Sequence, residues 1–171
     1  MGEAGLFQIC YEGDLTVEVS EALKRLGARL NFDQSWEVSM PRRRAATILR
    51  YLRMKIGGDA RLMVAALDPR RSRDYVLVRH SLTPGADYSE LHGALERLGW
   101  VLELPFDATF IVETDDRTDA QTLGAALTEL CPDEALMVAG IAPDFAWCTA
   151  DLGSFAPGAI AVGSLARVRT I

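Results

Sequence analysis

The chain has 171 residues, 49% of them apolar and 25% charged, with a formal net charge of −6 at pH 7. That length suits one medium core or two small ones, and no apolar run approaches the roughly 18 residues of a membrane span. Cys10, Cys131 and Cys148 are odd in number and far apart, and His80 and His92 are the only histidines, which argues against a disulfide framework, a zinc knuckle or a site built from several imidazoles. No Lys or Arg precedes the first apolar run, and Leu6 stands where a myristoylation signal requires Ser or Thr, so the reading is an untargeted cytoplasmic chain with no membrane partner.

In chain order, Leu6 to Tyr11 reads as a buried strand. Asp14 is a suitable cap for a helix carrying Val19, Leu23 and Leu26 on one face, and Gly27 ends it. Alternation from Leu30 breaks at Asp33 and Gln34 and resumes through Trp36 and Val38, predicting a hairpin. Pro41 opens a second helix lined by Ala45, Ile48, Leu49 and Leu52, which Gly57-Gly58 terminates before the strand Leu62 to Leu67. After an arginine-rich linker the order recurs. Tyr75 to Val78 is a strand, Leu91, Leu95 and Leu98 line a helix, and a hairpin turns about Asp107. Leu123, Leu127 and Leu130 then line a helix that Pro132 ends, before the strand Leu136 to Ile141. In the remaining tail, Ala159 to Val162 form one more strand, and Phe145, Trp147 and Phe155 are expected to anchor the tail on the core.

The recurrence extends to residue identity. At an offset of 74, Phe32, Asp33, Ser35, Trp36 and Val38 meet Phe106, Asp107, Thr109, Phe110 and Val112, and Asp59, Leu62, Met63, Val64 and Ala65 meet Asp133, Leu136, Met137, Val138 and Ala139. Upstream the offset is 72, matching Ala22, Leu23, Arg25, Leu26 and Gly27 with Ala94, Leu95, Arg97, Leu98 and Gly99. Two extra residues therefore sit near Glu103 and Leu104, inside a strand, where an even insertion keeps every later side chain on its face. The expected fold is α+β: two tandem ferredoxin-like βαββαβ units, each a four-stranded antiparallel sheet with both helices on one face. The uncovered faces then pack on each other, or the sheets join edge to edge, as an intramolecular pseudodimer. The boundaries are a first repeat at 1–68, a linker at 69–73, a second repeat at 74–142 and a tail at 143–171 packing on the repeats.

The segment from Asp74 to Asp151 resembles the SinR family, relatives of the smaller CRISPR adaptation subunit and of VapD-type endoribonucleases. The residues that carry it are Tyr75-Val76-Leu77-Val78, Pro84-Gly85-Ala86-Asp87-Tyr88, Leu91, Leu95, Leu98-Gly99, Thr109-Phe110-Ile111-Val112 and Leu136-Met137-Val138. Copy one matches more weakly through Phe7 to Tyr11 and Ser35-Trp36-Glu37-Val38. The resemblance implies a ferredoxin-like fold. It also implies a place where paired aspartates, one at the end of each first strand, hold a divalent cation such as Mg for attack on a phosphodiester. Here the matching positions hold Glu12 and His80, so a catalytic reading would use Glu12, Asp14 and His80, with Glu12 and His80 as metal ligands.

The charge is strongly polarised. Residues 41 to 80 carry eleven Lys or Arg against three Asp, a local excess of eight that leaves −14 for the remainder. Arg42, Arg43, Arg44, Arg50, Arg53, Arg70, Arg71 and Arg73 form a candidate binding face for nucleic acid or for an acidic protein surface. The leading expectation is a non-catalytic binding or scaffold module, with no cofactor, in a larger nucleic-acid-related complex of CRISPR or defence type. The alternative is a metal-dependent endonuclease with a degenerate carboxylate site. A third is a small-molecule sensor of the ACT type, on the strength of the loop Thr83-Pro84-Gly85.

Overall fold

The computed structural model describes residues 4–41, 43–56, 60–68, 74–81, 86–102, 104–115, 117–148 and 161–162. The first half runs β1 (Ala4–Glu12), α1 (Val17–Arg25), β2 (Arg29–Phe32), β3 (Ser35–Pro41), α2 (Ala45–Lys55) and β4 (Arg61–Leu67). The second runs β5 (Tyr75–His80), α3 (Ser89–Leu98), β6 (Trp100–Val101), β7 (Thr109–Glu113), α4 (Ala120–Leu130) and β8 (Leu136–Cys148), with β9 (Ala161–Val162) pairing on β8. All strand pairs among the described residues are antiparallel. The sheet order is β2-β3-β1-β4-β8-β5-β7-β6. Each half therefore has its fourth strand beside its first, then its third and second, the ferredoxin-like order, and the halves meet along β4 and β8. Among the described residues no helix is long and apolar enough to cross a membrane.

Strand alternation explains the layering. Phe7, Ile9 and Tyr11 of β1 and Leu62 and Val64 of β4 face α1 and α2, where Val19, Leu23, Ile48, Leu49 and Leu52 close the first core. Val76, Val78 and Val112 face α3 and α4 and meet Leu91, Leu95, Leu123 and Leu127. The intervening residues point the other way. Cys10, Met63 and Ala65 from the first half and Leu77, Ile111, Ile141 and Phe145 from the second form one third core. The two helix-free faces thus cover each other, and the halves are also joined at an edge.

β8 makes both arrangements compatible. Its residues 136 to 141 pair with β5, and residues 141 to 148 pair with β4. The register slips opposite Ala65 to Leu67, so that four steps along β8 match two along β4, and Pro143 lies within that irregularity. A strand that bends there can leave one sheet and enter the other. β8 therefore continues past residue 142, the expected end of the second repeat, and Phe145 and Trp147 belong to this strand. Phe155 lies outside the described residues.

Several boundaries differ from expectation. Thr16, not Asp14, caps α1, its Oγ1 accepting from the Val19 amide at 3.4 Å; Asp14 lends its backbone carbonyl to the Tyr11 hydroxyl at 2.7 Å. Pro41 closes β3 opposite Ala4, and α2 begins at Ala45. The first amide of α2 is met from β8, where the Asp144 carboxylate accepts from Ala45 N at 3.2 and 3.3 Å. β6 is only two residues long, so Leu104 falls in the connection to β7 and not in a strand. Gly57-Gly58, the linker 69–73, Thr83-Pro84-Gly85 and Glu103 lie outside the described residues.

Candidate functional site

The ends of β1 and β5 meet where the helix-free faces close on each other, and the polar groups there are almost wholly buried. Arg79 is 1% exposed and Glu12 2%. The Glu12 carboxylate reaches into the turn before β7: Oε2 accepts from Asp107 N at 2.9 Å, and Oε1 from Ala108 N at 2.8 Å and from the Thr109 hydroxyl at 3.2 Å. Arg79 reaches the opposite way. Its Nη2 donates to Tyr11 O and its Nε to Asp33 O, both at 2.9 Å, while Nη1 donates to Thr109 Oγ1. The two side chains form a buried ion pair at 3.6 Å, and Arg61 bridges Glu12 at 3.4 Å and Asp107 at 2.6 Å near the surface. The hydrogen bond that Arg61 donates to the Asp107 carboxylate favours its charged form and raises its pKa further. Each half thus inserts one charge into a turn of the other: an anion onto amides, a cation onto carbonyls.

Register corrects the expected pairing of Glu12 with His80. Cys10 lies opposite Ser35 and Met63, and Arg79 opposite Thr109 and Met137, positions that stand 74 apart. Arg79 therefore corresponds to Cys10 and His80 to Tyr11; the counterpart of Glu12 is Ser81. Because side chains alternate, that single step puts His80 on the helix side of β5. Its ring lies 4.1 Å from Tyr88 and 5.9 Å from Phe110 between centroids. His80 Nδ1 faces Ser81 O at 3.0 Å and Nε2 faces Asp107 O at 3.1 Å, so neither nitrogen points toward an open coordination position. Ser81 O also accepts from the Tyr88 hydroxyl at 2.9 Å.

Glu12 and His80 thus grip the same peptide region at Asp107 from two sides and do not converge on a common point. Asp14 is exposed. Among the described residues, no group of three or more His, Cys, Asp or Glu side chains is placed to hold a metal ion. The geometry assigns Glu12 to holding the two halves together and His80 to packing within the second half, with neither side chain presented for ligation. Among the described residues no buried side-chain nitrogen or oxygen lacks a hydrogen-bond partner. Arg79, Thr109, Asp107 and Arg61 are the participants that sequence reasoning missed. Arg79 and Arg61 had been grouped with the basic stretch, though alternation along Tyr75 to His80 already turned Arg79 away from the helices.

The basic face is a separate region. Arg43, Arg44, Arg50 and Lys55 are exposed, and they form no ion pair among the described residues; Arg53 is half-buried on the same helix. No acidic residue occurs along α2, from Ala45 to Lys55. Arg43 and Arg44 precede its first turn, where the helix dipole disfavours cations, so they weaken the helix rather than support it. Arg42, Arg70, Arg71 and Arg73 lie outside the described residues.

No protein-family model and no curated protein matches the chain. Among solved structures, it is similar to an unknown protein from Galdieria sulphuraria at 16% identity, covering 82% of this chain and 100% of that one, with a TM-score of 0.29. It is also similar to the acetolactate synthase small subunit from Thermotoga maritima at 17% identity, covering 86% and 97%, with a TM-score of 0.25. At these TM-scores neither likeness bears on fold or activity, which rest on strand order and on the geometry above.

Proposed function

We propose that the chain is a tandem duplication of one ferredoxin-like unit, closed on itself as a pseudodimer, that acts as a non-catalytic binding module for nucleic acid within a larger cytoplasmic complex. The duplication is supported by the matching strand order of the halves and by the 74-residue spacing of residues in equivalent register. The binding role is carried by one observation: Arg43, Arg44, Arg50 and Lys55 are exposed on and just before α2 and form no ion pair among the described residues, no acidic residue occurs along the helix, and Arg43 and Arg44 stand at its start, where cations cost stability. Phosphates supply what such a face lacks, and counterion release drives the contact. The resemblance to SinR-type proteins is in keeping with this reading. The non-catalytic reading is supported by the hydrogen bonds that occupy Glu12 across the junction and those that occupy His80 within the second half.

Fluorescence anisotropy with labelled duplex DNA, single-stranded DNA and RNA, titrated across salt, is the test. Binding should weaken linearly with log salt, and the triple variant Arg43→Glu, Arg44→Glu, Arg50→Glu should flatten that slope by about three, near one per arginine. No binding to any nucleic acid at low salt, or a triple variant that binds like the wild type, would defeat the proposal.

A further inference from the structure

A groove of about 390 Å³ opens between α3 and the outer edge of the second half, lined by His92, Leu95, Glu96, Gly99, Trp100, Val101, Leu102, Leu104 and Phe110. Its origin is local. β6 stops after Val101, so the outermost strand is too short to cover the neighbouring face of α3, and Leu102 and Leu104 border the opening instead. Gly99 lets the helix end close in on β7, for a Cβ there would lie 2.6 Å from Glu113 O. His92 stands edge-on to Phe110 at 4.9 Å, which fixes one wall.

Two side chains at the groove are turned to solvent. Trp100 is 67% exposed, and the Glu96 carboxylate is exposed and forms no ion pair among the described residues. At the 72-residue offset, the first half has Lys24 in place of Glu96 and Ala28 in place of Trp100, and Lys24 pairs with Glu21 at 3.6 Å. The charge is therefore inverted and an indole added only where the groove exists. Its surroundings share that sign, since residues 74 to 142 carry thirteen Asp or Glu against three Arg.

We propose that this groove binds a small organic cation, an alkyl guanidine or alkyl amine taken as a free molecule. The alkyl stem lies along Leu102, Leu104 and Phe110, the charged head meets Glu96, and Trp100 offers an aromatic surface beside it. The groove's size falls within the range of small-molecule sites. This inference is independent of the basic face on α2.

The experiment is a ¹⁵N chemical-shift titration of the full chain with agmatine, with neutral butylurea and with a Gly-Gly-Arg-Gly-Gly peptide, repeated on Glu96→Gln and Glu96→Asp. Agmatine should give saturable shifts at Leu95, Glu96, Gly99 and the Trp100 indole. Glu96→Gln should weaken binding about tenfold or more, Glu96→Asp should recover part of it, and butylurea should give none. Glu96 is exposed, so both variants should fold, and an unchanged urea midpoint verifies that. Absence of saturable shifts at about 10 mM agmatine, enough to fill a millimolar site, would overturn the proposal. So would equal binding by Glu96→Gln. Tighter binding by the peptide than by agmatine would overturn the free-ligand form, because it would mark the groove as a reader of protein side chains.

Discussion

Arg79 and Glu12 are each fully committed, the cation to two carbonyls and a hydroxyl and the anion to two amides and the same hydroxyl. Removing either leaves the other's charge buried and short of a partner. Arg79→Met and Glu12→Gln should each cost about 3–5 kcal/mol, a large fraction of the 5–15 kcal/mol typical of a domain. The double variant Arg79→Met, Glu12→Gln should cost less than the sum of the singles, as chemical denaturation through a double-mutant cycle would measure; strict additivity would mean the pair is not coupled. Cys10 obeys a different rule. Burial pushes its thiol up, more than the nearby Arg79 cation and the Ser35 hydrogen bond pull it down. The folded state therefore resists thiolate formation. Stability is intact below the unfolded thiol's value of about 8.5 and falls as pH rises beyond it, as the unfolded chain ionises first. Cys148 is shifted the same way, again by burial. Urea midpoints followed from pH 7 upward should decline in this range, and a Cys10→Ala, Cys148→Ala variant should decline less; identical curves would rule the thiols out.

At the level of elements, α2 depends on a cap supplied from the other half of the chain. Its N-cap residue, Arg44, makes no capping bond, and the carboxylate of Asp144 takes that place on Ala45 N. Asp144→Ala should destabilise the fold by about 1 kcal/mol, the usual worth of an N-cap, whereas Asp144→Asn should lose less because its amide oxygen still accepts. Equal losses for the two variants would indicate that charge beside the dipole, rather than the hydrogen bond, is what matters. This cap was invisible in the sequence because Ala45 and Asp144 are 99 residues apart. By contrast Thr16 is legible, since its partner lies three residues on; Asp14 competes with it in the sequence because both residue types cap helices and only backbone geometry distinguishes them. The two-residue β6 was missed for a related reason. Leu102 and Leu104 continue an apolar pattern, but they serve the shared core and the groove rim, not strand pairing.

For the molecule as a whole, the question is whether the halves are separable. A core drawn from both helix-free faces, a strand shared between two sheets and a buried ion pair whose members come from opposite halves all cross the same junction. Neither half keeps its inner face dry alone. Scanning calorimetry should therefore record a single transition with matching calorimetric and van't Hoff enthalpies, and two resolved transitions would show independent units.

The local sequence by itself determined most of the elements, because helix and strand periodicities, Gly27 and the Asp33-Gln34 turn act through neighbours in the chain. It also carried the matching order of the two halves and the polarity of charge, with α2 free of acidic residues. Tertiary structure alone decided which charges remain available. Glu12 and Arg79 are ordinary polar letters in a string, and only the closing of one sheet on the other withdraws them from solvent and pairs them. Arg43, Arg44 and Arg50 belong to the same basic stretch yet stay outside, because α2 turns its apolar side to the sheet and leaves them facing water.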